Sequence, residues 1–136
     1  MIKPTARRQS RELALQILFQ TEFAPQIGIQ TFLSVFEQSF DAEVIAYADQ
    51  LVVGVTTNKA DIDSKMQASS AHWKIDRMAT IDRNILRIAI YEMKFAKETI
   101  KENIAINEAV EIAKKYGSSD SPSFVNGLLD QVSKAH

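Results

Sequence analysis

The stretch TIDRNILRIAIYEMKF (80–95) constrains this chain more than any other. Wound at about 100° per residue, it puts Ile81, Ile85, Leu86, Ile88, Ala89, Ile90 and Met93 around most of its circumference. Arg83, Arg87 and Lys94 share one polar strip, within about 40° of each other. A helix apolar on nearly every side needs neighbours on nearly every side, so it belongs at the centre of a helical fold. Thr80 is its expected cap, and Asp82 complements the positive end of the helix.

The rest of the chain repeats the three-four apolar spacing, interrupted by only four glycines and three prolines. About seven helices are expected. The first runs from about Thr5, its cap, to Glu22, with Ser10, Leu13, Ala14, Ile17 and Leu18 inward. Arg7, Arg8 and Arg11 cluster on another side, with Leu15 and Phe19 beside them, outside the main apolar stripe. Pro25 and Gly28 end this helix. A second covers 29–40, and a long third, capped by Asp41, extends to about Met66. AHWKIDRMA reads as a short helix or turn around Trp73. Asn103 caps the next helix, which Gly117 ends as a left-handed terminator. Ser121, with Pro122 behind it, starts the last helix, where Gly127 permits close helix approach. The fold class is therefore all-α, of bundle type, in a single domain over 1–136.

The net charge of −1 conceals an asymmetry. The first eleven residues hold Lys3, Arg7, Arg8 and Arg11 and no acid, so the remaining 125 carry −5. A basic arm on a mildly acidic body points to a local polyanion contact. The absence of cysteine excludes disulfides and thiolate metal sites and fits a reducing cytosol. No signal peptide or membrane-length apolar run is present, so the expected location is cytoplasmic.

Enzyme chemistry is sparse. There is no phosphate-binding glycine loop, no H-E-x-x-H and no G-x-S-x-G elbow. His72 and His136 are the only histidines, and a metal site between them would need the terminus to fold back. Carboxylate pairs such as Glu108 and Glu111 lie on a solvated helix side. No cofactor and no metal are expected.

Binding chemistry remains. A guanidinium donates two parallel hydrogen bonds to phosphate and keeps its charge at any physiological pH. If Lys3, Arg7, Arg8 and Arg11 all met single-stranded RNA, affinity would fall with salt at a log–log slope of about −3. A solvated helix start is the bland alternative, although cations at a helix N-terminus are mildly disfavoured by the dipole. The second candidate is KKYGSSDSPSF, where Tyr116 and Phe124 flank a turn containing Asp120. Aromatic faces stack on unpaired bases and a carboxylate accepts from exocyclic amines. Composition alone favours a plain helix–helix corner there.

KPTARRQSRELALQILFQ, IDRNILRIAIYEMKF, AINEAVEIAKKYG and SFVNGLLD, in this order and spacing, resemble the NusB family of bacterial transcription antitermination factors. The likeness covers nearly the whole chain and is weakest between Pro25 and Asp41. It implies an all-α NusB-like fold of two small bundles, at about 1–76 and 77–136, and a non-enzymatic role. It also implies pairing with the ribosomal protein NusE and binding of boxA-type single-stranded RNA. The assembly would be the RNA polymerase antitermination complex of ribosomal RNA operons. By position, Lys3, Arg7, Arg8 and Arg11 match the family's RNA-contacting basic arm, and Tyr116, Asp120 and Phe124 match positions near the RNA. Arg87 matches an arginine that either touches RNA or braces the fold. Phe19 and Asp82 match positions of the NusE contact, and Leu15 joins them through its expected exposure.

Phe19 stands where tyrosine is common, so any hydroxyl contact is lost there. Lys101 stands where proline is frequent. Two other readings compete. One is a protein–protein scaffold that binds no RNA itself. The other is an accessory domain of a ribosomal RNA methyltransferase system, although no methyl-donor domain follows within the 136 residues. Self-association through the partner face also stays open.

Overall fold

In the computed structural model of this chain, residues 3–24 and 27–135 are described; Pro25 and His136 lie outside them. These residues form seven α-helices and no strand. They are α1 (Pro4–Thr21), α2 (Ile29–Val35), α3 (Ala42–Thr57), α4 (Lys59–Ala68), α5 (Thr80–Ile90), α6 (Glu102–Tyr116) and α7 (Ser121–Lys134). The all-α expectation holds. None of these helices is long and apolar enough to cross a membrane. Two compact units result, Met1–Val53 and Gly54–His136.

In the first unit, α1 starts one residue earlier than expected, with Pro4 in its first turn and Lys3 before it. Proline suits that position because its missing N–H would be unpaired anyway. Ser10 is fully buried, and its hydroxyl lies 2.9 Å from the Val44 carbonyl and 3.0 Å from that of Ala6. It thus ties α1 to the start of α3. Gln38, beyond α2, donates to Gln16 on α1 at 3.0 Å.

The expected long third helix is two helices, α3 and α4. At Asn58 both the backbone N–H and the side-chain amide donate to the Gly54 carbonyl, at 3.1 and 2.8 Å. The Asn58 side chain adds a second donor to that carbonyl, and its own backbone carbonyl accepts the first bond of α4, from the Ile62 N–H at 2.9 Å. Gly54, a poor helix former, also has a packing reason to be there. A Cβ on it would lie 2.2 Å from the Tyr91 ring.

In the second unit α5 is the central helix, as its pattern requires. It packs with α4, α6 and α7. Leu86 and Ile90 are fully buried, and α5 continues into a π-helical turn over Tyr91–Phe95. The polar strip does not face water. Arg87, 5% exposed, forms a two-pronged pair with Asp63 of α4, Nε to Oδ1 at 2.9 Å and Nη2 to Oδ2 at 3.0 Å. Its third nitrogen donates to Asn84 Oδ1 at 3.2 Å. Asn84 in turn donates to the Thr80 carbonyl at 2.9 Å.

Two glycine expectations fail. Gly117 has φ −91°, so it does not end α6 in the left-handed region. It is glycine for space: a Cβ would lie 2.5 Å from the Ser121 side chain. Gly127 meets nothing within 4 Å, so it permits no close helix approach. Thr80 and Asn103 lie inside their helices rather than at the caps.

A latch closes the far end. Lys94 donates to Glu102 at 2.9 Å, and the Ser133 hydroxyl donates to the other carboxylate oxygen. These bonds, Ser133 first and Lys94 second, hold the Glu102 carboxyl below its ordinary value. A lowered folded-state value means stability that is present above the unfolded carboxylate's titration and is lost as pH falls through the folded one. The pair is partly exposed, so the contribution is small. The thermal midpoint of the native chain should therefore drop more steeply on acidification than that of Glu102→Gln. Equal slopes would refute the latch.

The Arg87 fork predicts a larger effect. Asp63→Ala strands a buried guanidinium and should cost about 3 kcal/mol in urea unfolding, the low end for broken buried pairs. The low end applies because Asp63 keeps 24% exposure. A loss within a few tenths of a kcal/mol would show the fork to be incidental.

Candidate nucleic-acid interface

The two candidate regions lie in different compact units and are taken separately. In the first unit, Lys3 and Arg8 are exposed and Arg7 is half-buried. The Arg7 guanidinium sits 4.6 Å from the centroid of the Tyr47 ring on α3. A cation over an aromatic face is held at little desolvation cost, and its edge nitrogens stay available for phosphate.

Arg11 departs from the expected cluster. It is 3% exposed and engaged within the protein. Leu15 is 2% exposed, so it is not the exposed apolar neighbour that the helical wheel implied. The reason lies in the spacing. Arg7, Arg11 and Leu15 are four residues apart in succession and share a row along α1. The row that begins under Tyr47 is covered further along. Arg8, about 100° away, faces solvent.

Phe19 is half-buried and pairs with Phe23, ring centroids 5.1 Å apart. Phe23 is 69% exposed. The pair lies at the opposite end of α1 from the basic arm, and its exposed member, Phe23, is apolar surface that prefers to be covered.

In the second unit, the turn after α6 builds a compact site. Asp82, expected to face a protein partner, is 8% exposed and accepts a 2.7 Å hydrogen bond from the Ser121 hydroxyl. Ser121 in turn accepts from the Ser118 N–H at 3.0 Å. This chain ties the start of α5 to the start of α7. Gly117 leaves room for it.

Beside it lies a cavity of about 500 Å³ lined by Trp73, Arg77, Met78, Asp82, Asp120 and Phe124, among others. Trp73 meets Phe124 edge-on, centroids 6.1 Å apart and planes at 77°. The loop carrying Trp73 is fixed by its backbone. Gln67 and Ser70 donate to the Trp73 carbonyl at 2.8 and 2.9 Å, and Gln67 accepts from the Ile75 N–H at 3.2 Å. Arg83 donates to the Met78 carbonyl at 2.9 Å. Such a shell holds an exposed aromatic side chain in place before any ligand arrives.

Asp120 is exposed and Phe124 half-buried at this cavity, as the aromatic-corner reading requires. Tyr116 is half-buried with the Lys115 ammonium 5.2 Å from its ring, but it does not line the cavity. Arg87 is absent from both regions, consumed by Asp63. The sequence reading missed Trp73 and Arg77 as site residues and Tyr47 as the support of Arg7. The signal for Trp73 was present: the single tryptophan of the chain stands in a polar segment with no apolar row to join. Among the described residues no group of acids, histidines or cysteines is arranged to hold a metal.

Comparison with known proteins gives a consistent result. The family model described as the NusB family matches residues 8–134. The transcription antitermination protein NusB of Bdellovibrio bacteriovorus is 79% identical over 135 residues, covering 99% of this chain and all of the relative. The solved structure of T. maritima NusB superposes with a TM-score of 0.84 at 35% identity, covering 100% of this chain and 94% of that one. A crystal structure of antitermination factors NusB and NusE in complex with dsRNA also matches, with a TM-score of 0.84 at 25% identity. It covers 98% of this chain and 100% of that one.

Proposed function

The chain belongs to the NusB family of transcription antitermination factors, which are non-catalytic, and on that premise we propose that it is the RNA-binding adaptor of a NusE-type ribosomal protein. Together the pair recognises boxA-type RNA as it emerges from the polymerase and carries it into the antitermination complex on ribosomal RNA operons. It works in the cytoplasm. The single observation that carries the reading is the arm: Lys3 and Arg8 exposed, with Arg7 oriented by Tyr47. The related structure of NusB and NusE with RNA supports it.

The residues divide by role. Lys3, Arg7 and Arg8 meet phosphates. Asp120 and Phe124 meet bases, with Tyr116 at the edge of the same corner. Phe19, with Phe23, meets the protein partner. Arg11, Arg87 and Leu15 act from inside: they hold the helices that present the others.

The salt dependence follows. Three phosphate contacts by the arm give a log–log slope of about −2 for single-stranded RNA, not the −3 of four contacts. Arg7→Ala/Arg8→Ala should make the measured slope shallower by about 1.4. It should weaken binding alike for all RNA sequences, with binding of the ribosomal protein retained. An unchanged slope with unchanged affinity would replace this reading with the scaffold.

A further inference from the structure

Arg7 is held in a way that leaves its charge unmatched. Its guanidinium lies 4.6 Å from the centroid of the Tyr47 ring and has no hydrogen bond or ion pair to a described residue. The two helices that bring them together are registered one turn away. Three residues further along α1, Ser10 is fully buried, with its hydroxyl 2.9 Å from the Val44 carbonyl. Val44 lies three residues before Tyr47 on α3. The two contacts therefore run antiparallel, about 4.5 Å apart along the helix axis. Val44 and Ala48 are both buried, so the backbone that carries Tyr47 is fixed against the core.

We propose that Tyr47 is a positioning residue for RNA binding: it touches no RNA and acts by holding Arg7 in place before the RNA arrives.

The physical case is one of preorganisation. An arginine side chain turns about several bonds, and immobilising it on binding lowers affinity. The negative face of the Tyr47 ring attracts the guanidinium and orders it in the free protein. An acid at position 47 would also order it, but would occupy the same donors that phosphate needs. A ring face leaves the edge of the planar fork open. The ordering of Arg7 is thus completed during folding, and phosphate meets a side chain already set.

This rests on the RNA-binding reading above and deepens it, from which residues meet phosphate to what sets the strength of that contact. The experiment replaces Tyr47 in the full chain by Phe, by phenylalanines carrying progressively more ring fluorines, and by Leu. Phenylalanine is the reference, so the tyrosine hydroxyl drops out of the comparison. Fluorine drains the ring face of negative charge while keeping its shape; leucine keeps apolar bulk without a ring. Affinity for a short single-stranded oligoribonucleotide, the Arg7 Nε–H NMR signal of the free protein and the thermal midpoint are measured for each.

Affinity should fall stepwise with fluorination, reaching about two- to tenfold below Tyr47→Phe in Tyr47→Leu. The Arg7 signal should move in the same order. In an Arg7→Ala background the series should be flat. RNA binding that is equal or tighter with the electron-poor rings would overturn the proposal, as would a series that persists without Arg7. Affinities that follow the thermal midpoint instead of the ring's charge would overturn it too, and would leave Tyr47 a packing residue. Each of these results keeps the adaptor reading intact. Failure of the native chain to bind RNA, alone or with the ribosomal protein, would remove that reading and this one together.

Discussion

The second unit depends on how one buried charge is neutralised. Arg87 lies on the most apolar helix of the chain, where an unpaired guanidinium would be prohibitive. Asp63 supplies both carboxylate oxygens, and Asn84 takes the remaining nitrogen. The fork fixes α4 against α5. With α5 fixed, Asp82 at its start is set to receive Ser121 from α7, and Arg83 pins the segment that carries Trp73 and Arg77. A core ion pair is thus linked, through one helix, to the walls of a surface cavity.

The cations of this chain fall into two populations. Arg11 and Arg87 are buried and engaged inside. Lys3, Arg8 and Arg77 are exposed and Arg7 is half-buried. Arg7 is between the two: its charge rests on a ring rather than on an acid, so the protein positions it without neutralising it. That distinction separates a binding residue from a structural one more sharply than the count of basic residues does.

Much of the fold was legible in the amino-acid sequence because it follows from period. The apolar rows marked the helices, and the near-continuous apolar surface of 80–95 placed α5 at the centre. What was not legible depended on tertiary neighbours. The break between α3 and α4 falls at Asn58, whose backbone leaves the helical region and whose side chain turns back to the Gly54 carbonyl, a local detail that periodicity does not see. The helical wheel showed Arg7, Arg8 and Arg11 as one patch, whereas Tyr47, forty residues on, claims the face of Arg7. Arg11 and Leu15 sit in the same row and are covered. Asp120 and Phe124 were already a candidate by composition, which favoured a plain helix corner, and the resemblance tipped the choice towards RNA. Trp73 and Arg77, which complete their cavity, come from a segment with no helical pattern, and only the folded chain brings them together.

The central claim is that arginines are sorted, some to hold the fold and some to hold RNA. Side-chain NMR of the guanidinium Nε–H groups tests it most directly, since each arginine gives its own signal. On adding boxA-type single-stranded RNA, the Arg7 and Arg8 signals should shift while those of Arg87 and Arg11 stay in place. Movement of Arg87 with Arg7 and Arg8 unmoved would contradict the account at its base.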